Sequence, residues 1–296
     1  MRWGLDMRSY SILAVCALAA LLAAPVGAVG SSGETAKQHS EPLRGGGVGR
    51  HGMVILAHRG ESYIAPENTL AAFKLAWEKG AKAVELDVYM TPDKKIVCIH
   101  DAMTGRTGGG VNLPVKETNS EELRKLDFGK WKGEQYAGEK IPFLSEALAT
   151  IPKGGRMLVE IKCGVDILPY LRDILDASGK RSQVMIISFS LEVVAASKKL
   201  MPDLRTYYLS MPAKDPKTGQ RLPYDRKLIQ TALDNKLDGL DLYYQGVTKE
   251  FADAIKAAGL ALWTWTVNDA VEAKRQMELG VDGLGTDRAA WLTEQL

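Results

Sequence analysis

The chain of 296 residues carries 38 basic and 36 acidic side chains, a net charge of +2, with three cysteines and 46% hydrophobic residues. A near-neutral balance argues against nucleic acid or an anionic membrane as an electrostatic partner. So few cysteines exclude a disulfide framework, and the length suits one large domain, since α/β barrels commonly run to about 250 residues.

Arg2 and Arg8 flank the start, Ser11 to Ala24 is apolar, and Val26-Gly27-Ala28 supplies small residues suited to cleavage. Residues 1–28 therefore read as an export signal, with Met7 an alternative start, and the destination as periplasmic or extracellular. The apolar core is shorter than the roughly 20 residues of a membrane span, so no stable span remains after cleavage. An uncleaved anchor is the second reading. Cys16 does not match a lipoprotein site, because bulky Val15 precedes it and the apolar run continues after it. Residues 29–52, with Gly45-Gly46-Gly47 and few large apolar side chains, read as a flexible tether that holds His39 and His51.

From residue 53 to 296, strand and helix signals alternate. Strands are expected over Val54–Ala57, Ala83–Tyr89, Met157–Ile161, Val184–Ser188, Thr206–Leu209, Gly239–Leu242, Ala261–Thr266 and Gly283–Thr286. A helix capped by Asn68 or Thr69 runs to Lys79, and others cover Leu144–Ile151, Ile167–Ser178, Leu191–Leu200, Lys227–Asn235, Lys249–Ala258, Ala270–Leu279 and Arg288–Gln295. Eight such units predict a parallel sheet closed as a (β/α)8 TIM barrel. Two stretches interrupt the alternation. Asp101 to Lys140 is long and rich in glycine and charge, and reads as a small insertion over about 102–140 that forms a lid or one wall of a pocket. Met211 to Asp225 contains three prolines and reads as a second long loop. Cys98 and Cys163 read as buried small residues, with a single disulfide the minor option.

Charge at strand ends is the anomaly in this pattern. His58 and Arg59 follow Val54–Ala57 directly, and His100 follows the strand-like run Ile96–Ile99. Glu85 and Asp87 stand two apart in a third run, as do Glu160 and Lys162 in a fourth. Such groups are costly in a buried strand unless they meet a metal, a substrate or one another. Residues i and i+2 share a strand face, so both pairs point inward near the strand ends where barrel active sites sit. Three converging carboxylates repel, and a hard divalent cation held by oxygen resolves that conflict. Arg59 and Lys162 suit a phosphate, and neutralising the carboxylates is compatible with that role. Histidine is the side chain whose free imidazole changes charge near neutral pH, so of His58 and His100 one can act as base while the other acts as acid. The plainer reading, polar residues facing water from an edge strand, accounts poorly for a pattern that repeats.

In chain order, His58-Arg59-Gly60, Pro66-Glu67-Asn68-Thr69, Glu85-Leu86-Asp87-Val88, His100-Asp101 and Ile141-Pro142-Phe143-Leu144-Ser145-Glu146 resemble the glycerophosphodiester phosphodiesterase family. Val159-Glu160-Ile161-Lys162, Ile187-Ser188-Phe189, Trp265-Thr266-Val267-Asn268 and Gly280-Val281-Asp282-Gly283 with Thr286-Asp287 continue the series. The resemblance implies a barrel that hydrolyses glycerophosphodiesters to glycerol 3-phosphate and an alcohol. It implies that Glu85, Asp87 and Glu160 bind one divalent cation, Ca²⁺ or Mg²⁺, and that His58 and His100 are the acid–base pair. Arg59 and Lys162 are expected at the phosphate, Glu67 in an orienting or hydroxyl contact, and Trp265 as an apolar wall. It further implies attack by the substrate's own neighbouring hydroxyl, giving a cyclic phosphate that water opens. Arg288 and Ala289 stand where the family often has proline, a departure that touches no site position.

Two alternatives stand beside this reading. Lysophospholipase D-like cleavage would use the same residues and would be favoured by an exposed apolar rim on the 101–140 segment, where Phe128, Trp131 and Tyr136 are scattered. A silent barrel that only binds metal or phosphate is disfavoured, because no expected histidine or ligand is missing. Nothing in the sequence sets an oligomeric state.

Overall fold

The computed structural model describes residues 52–296. The leader, Cys16, His39, His51 and all of the tether except Gly52 lie outside the described residues. The described chain begins with strand β1 (Val54–Ala57), helix α1 (Leu70–Glu78), β2 (Ala83–Met90) and β3 (Ile96–Cys98). Helices α2 (Ser120–Leu123) and α3 (Leu144–Ala149) follow, then β4 (Arg156–Ile161), α4 (Leu168–Ser178), β5 (Val184–Ser188) and α5 (Leu191–Leu200). The chain ends with β6 (Arg205–Ser210), α6 (Lys227–Asp234), β7 (Gly239–Tyr243), α7 (Lys249–Ala257), β8 (Ala261–Trp265), α8 (Ala270–Leu279), β9 (Gly283–Thr286) and α9 (Ala289–Gln295).

Eight of these strands are parallel and close on themselves in the order β1-β2-β4-β5-β6-β7-β8-β9, with β1 pairing both β2 and β9. This is the expected (β/α)8 barrel. Side chains alternate across each strand, and in β2 the parity divides chemistry cleanly. Val84, Leu86 and Val88 pack outward into the core shared with the helices. Ala83 belongs to the barrel interior with Leu56, Leu158, Ile187, Leu209 and Trp263. Glu85 and Asp87 have the same parity as Ala83, so both carboxylates are carried inward.

Helix α1 is positioned by local chemistry. The Thr69 hydroxyl accepts from the Ala72 N–H at 3.3 Å, which satisfies one free donor of the first turn. Gly60, at φ +84, lies so close to α1 that a Cβ there would sit 2.6 Å from the Ala72 carbonyl carbon. Only glycine fits that approach.

The ninth strand stands outside the closure. β3 runs antiparallel to the far end of β2, with Val88 opposite Cys98 and Met90 opposite Ile96. The hairpin returns the chain toward the barrel mouth, and the Ile99 N–H donates to the Asp87 carbonyl at 3.0 Å. The long segment that follows is folded. It contains α2, and its Val115, Leu123 and Phe128 form an apolar cluster with Tyr89, Val97, Ile99 and Ile141. Both cysteines of the described residues are free thiols, Cys98 buried and Cys163 partly exposed.

Candidate active site

His58 and Arg59 leave the C-terminal end of β1, and Arg59 takes a left-handed turn at φ 57. That turn aims the Arg59 N–H at Glu85 Oε2, 2.8 Å away. Its guanidinium donates to Glu67 Oε1 at 2.9 Å and faces Asp87 Oδ2 at 3.3 Å. Asn68 is also left-handed, at φ 57. Its amide donates to Asp87 Oδ2 at 2.7 Å and accepts from the Asp87 N–H at 3.0 Å, locking this carboxylate from below. On the neighbouring strand Lys162 Nζ donates to Glu160 Oε1 at 2.7 Å and lies 3.3 Å from Asp87 Oδ1.

Each histidine has a carboxylate behind it. Asp287 Oδ1 accepts from His58 Nδ1 at 2.7 Å, and Asp101 Oδ1 accepts from His100 Nδ1 at 2.8 Å. Burial alone would raise Asp287, but the hydrogen bond from His58 holds it at about 2. Asp101 lies below its ordinary value too: burial opposes this, but Arg106 and His100 outweigh it. Ionised partners can only accept, so both imidazoles carry their proton on Nδ1 when neutral and offer Nε2 as the free nitrogen. Burial, aided by the Arg59 charge, pushes His100 below its usual range against the pull of Asp87.

Glu85, Asp87 and Glu160 offer oxygens that all lie within 4.8 Å of one another. Burial and the charges of Asp87 and Glu160 drive Glu85 well above the normal carboxyl value. Burial and Asp87 likewise raise Glu160 to about 8 despite Lys162. Asp87 itself is held at about 2: burial opposes this, but Arg59 and Lys162 outweigh it. Glu85 Oε1 and Asp87 Oδ1 are buried without a hydrogen-bond partner. Oxygens left without a hydrogen bond in an all-oxygen cluster fit a hard divalent cation; Asp87 Oδ1 has only the Lys162 ammonium nearby at 3.3 Å, and Glu85 Oε1 would otherwise carry a desolvation cost.

These groups border a small cleft of about 70 Å³ lined by His58, Arg59, His100, Glu160, Lys162, Phe189 and Trp265, among others. The ring of Trp265 meets Phe189 edge-on at 5.5 Å and Tyr243 at the same separation, and its indole N–H donates to the Asp241 carbonyl at 3.2 Å. The structure thus places all nine candidate residues at one barrel mouth. It adds groups that the sequence reading did not assign. Asp287 and Asp101 stood in quoted motifs, but only barrel closure and the hairpin reveal what they touch. Asp241 lines the cleft from β7 at 3% exposure, driven well upward by burial and by Glu160. Its signal was an acid amid the apolar residues of a short strand, Gly239-Leu240-Asp241-Leu242. Phe128 is 3% exposed and packs inside the insertion, so it supplies no apolar rim.

The model of the glycerophosphoryl diester phosphodiesterase family matches residues 58–290. A glycerophosphodiester phosphodiesterase of Caldanaerobacter subterraneus subsp. tengcongensis is 36% identical over 242 residues, 79% of this chain and 93% of that protein. One from Bacillus subtilis is 30% identical over 260 residues, covering 79% and 83%. Among solved structures, an Oleispira antarctica phosphodiesterase in complex with the product sn-glycerol-3-phosphate aligns with a TM-score of 0.69 at 27% identity, over 82% of this chain and 96% of that one. The Thermotoga maritima glycerophosphodiester phosphodiesterase gives 0.65 at 25%, over 83% and 99%. The chain belongs to the glycerophosphoryl diester phosphodiesterase family and is a phosphoric diester hydrolase.

Proposed function

We propose that this cleft hydrolyses small glycerophosphodiesters to glycerol 3-phosphate and an alcohol, by histidine acid–base catalysis beside one divalent cation. The observation that carries the reading is the pair of Nδ1-anchored imidazoles, one from each side of the β1–β2 seam, facing the same cleft as Arg59 and Lys162. The product complex of the Oleispira protein supports the choice of substrate.

Glu85, Asp87 and Glu160 would hold the cation, Ca²⁺ or Mg²⁺, and its charge would offset the negative charge that builds on the phosphoryl oxygens. Arg59 and Lys162 take the non-bridging oxygens, and Glu67 orients Arg59 through the 2.9 Å hydrogen bond. Trp265 lies along the glycerol carbons. One imidazole takes the proton of the glycerol hydroxyl next to the phosphoester through Nε2. That oxygen attacks phosphorus, and the other imidazole protonates the departing alcohol oxygen. Water then opens the cyclic phosphate with the roles reversed. Nucleophile and phosphorus on one glycerol form a proximity arrangement, so diesters lacking the neighbouring hydroxyl are expected to turn over poorly. Equal turnover of such diesters would sink this step.

The leader and tether are proposed to export the enzyme to the periplasm or exterior, which places it with diesters outside the cytoplasm. Among the described residues no helix is long and apolar enough to cross a membrane. The test uses metal-stripped protein on glycerophosphocholine, following glycerol 3-phosphate with and without Ca²⁺ or Mg²⁺. Release should require the cation and should fall by about 10²–10⁴-fold in His58→Ala. Release of choline from lysophosphatidylcholine, with none from glycerophosphocholine, would move the assignment to lysophospholipids.

A further inference from the structure

We propose that Arg106, on the insertion, is a positioning residue that sets both His100 and Arg59 by gripping their two carboxylate partners at once. Its Nε donates to Asp101 Oδ2 at 2.6 Å, while Nη1 and Nη2 donate to Glu67 Oε2 and Oε1 at 2.6 and 2.8 Å. Asp101 holds His100 Nδ1, and Glu67 Oε1 also accepts from Arg59 Nη1. A continuous chain of charge-assisted hydrogen bonds therefore runs from His100 through Asp101, Arg106 and Glu67 to Arg59, which faces Asp87. Arg106 is 48 positions from His58 in sequence and takes no place in the cleft lining.

The guanidinium is suited to this because it is planar and presents a fork to one carboxylate and a third N–H sideways to another. An ammonium at the same place cannot span both. The other histidine is anchored differently. Asp287, behind His58, receives the neutral Asn268 amide at 2.6 Å from the barrel itself. One imidazole is thus fixed by the barrel, and the other by the insertion through Arg106. The insertion thereby acts on the chemistry without touching substrate.

The proposal rests on the phosphodiesterase reading, and the experiment separates the two. Steady-state turnover of glycerophosphocholine is compared for wild type, Arg106→Ala, Arg106→Lys, Glu67→Gln/Asp101→Asn and the combined triple variant, with thermal melts alongside. Arg106→Ala should lower kcat/KM on the order of 10²-fold, with kcat carrying the His100 share and KM the Arg59 share. Arg106→Lys should recover only part, and added guanidinium should restore Arg106→Ala while leaving wild type unchanged. In the Glu67→Gln/Asp101→Asn background, removing Arg106 should cost less than about twofold more, since its partners are already disabled. A readout free of turnover is the His100 Nδ1–H proton resonance, assigned by its loss in His100→Asn. It should shift in Arg106→Ala, while the His58 resonance stays put. Unchanged kinetics, an undiminished cost in the double background, or an unmoved His100 resonance would each overturn the proposal. Inactive wild type would overturn the substrate assignment instead, and the resonance would still decide the role of Arg106.

Discussion

At the scale of single residues, the contact between His58 and Asp287 joins positions 229 apart in sequence. The carboxylate holds one tautomer and, in the proposed mechanism, would steady the imidazolium formed on proton transfer, the part an acid plays behind the histidine of a catalytic triad. Asp287→Asn removes that charge and lets the amide favour the other tautomer. It is expected to lower kcat by about 10²–10⁴-fold with little change in KM, measured on glycerophosphocholine at saturating cation. An unchanged kcat would show that His58 needs no acid behind it. This residue also marks a boundary of what the sequence discloses. His58, Arg59, Glu85, Asp87, Glu160 and Lys162 stand out in a linear reading because charge is anomalous in an apolar strand. Asp287 looks ordinary after a terminal strand, and Arg106 ordinary in a polar loop. Their importance is a matter of who they touch, which depends on closing β9 onto β1 and on folding the hairpin.

At the scale of elements, the turn between β1 and α1 does the most positioning. Gly60 is required by its close approach to Ala72, and Asn68 supports Asp87 with two hydrogen bonds from a left-handed backbone. Asn68→Ala strips both bonds and leaves a non-glycine residue in αL, so a loss of about 2–4 kcal/mol is expected in a denaturant titration of the metal-free protein. Asn68→Gly should recover the backbone share alone. If Asn68→Ala unfolds at the wild-type midpoint, the bonds to Asp87 contribute nothing to stability. The eight barrel strands were legible because strands buried on both faces read as aliphatic runs of fixed spacing. β3 reads the same way, as Ile96-Val97-Cys98. Composition carries no record of direction, so its antiparallel pairing became visible only in the hairpin geometry. The insertion read as a polar loop for a similar reason: its small core draws Val115, Leu123 and Phe128 from widely separated positions, which no local periodicity announces.

At the scale of the whole molecule, the acidic cluster links folding to pH and, if it holds the proposed cation, to that cation. Glu160 rises from an ordinary 4.5 to about 8 in the folded state, so the folded protein binds more protons than the unfolded chain between those values. Stability from this group is complete below about pH 4.5, is lost as pH rises to about 8, and then levels. Glu85 shifts in the same direction. Asp87 and Asp287, held at about 2, act oppositely and withdraw stability as pH falls below about 4. A cation that displaces the extra protons should therefore raise Tm more at about pH 9 than at about pH 5.5. Calorimetry with and without Ca²⁺ or Mg²⁺ checks this, and Glu160→Gln should flatten the alkaline difference. Equal Tm gains at both pH values would separate cation binding from these carboxyls.

The antiparallel strand also bears on descent. All eight seams of the barrel close without β3, so the chain from Thr91 to Phe143 forms no part of the closed ring. That span can lengthen, shorten or be exchanged in a lineage without reopening the barrel, and it carries one of the two histidines along. Selection for a new diester can thus act on half of the proposed histidine pair as a detachable cassette, while the other half is inherited with the barrel itself.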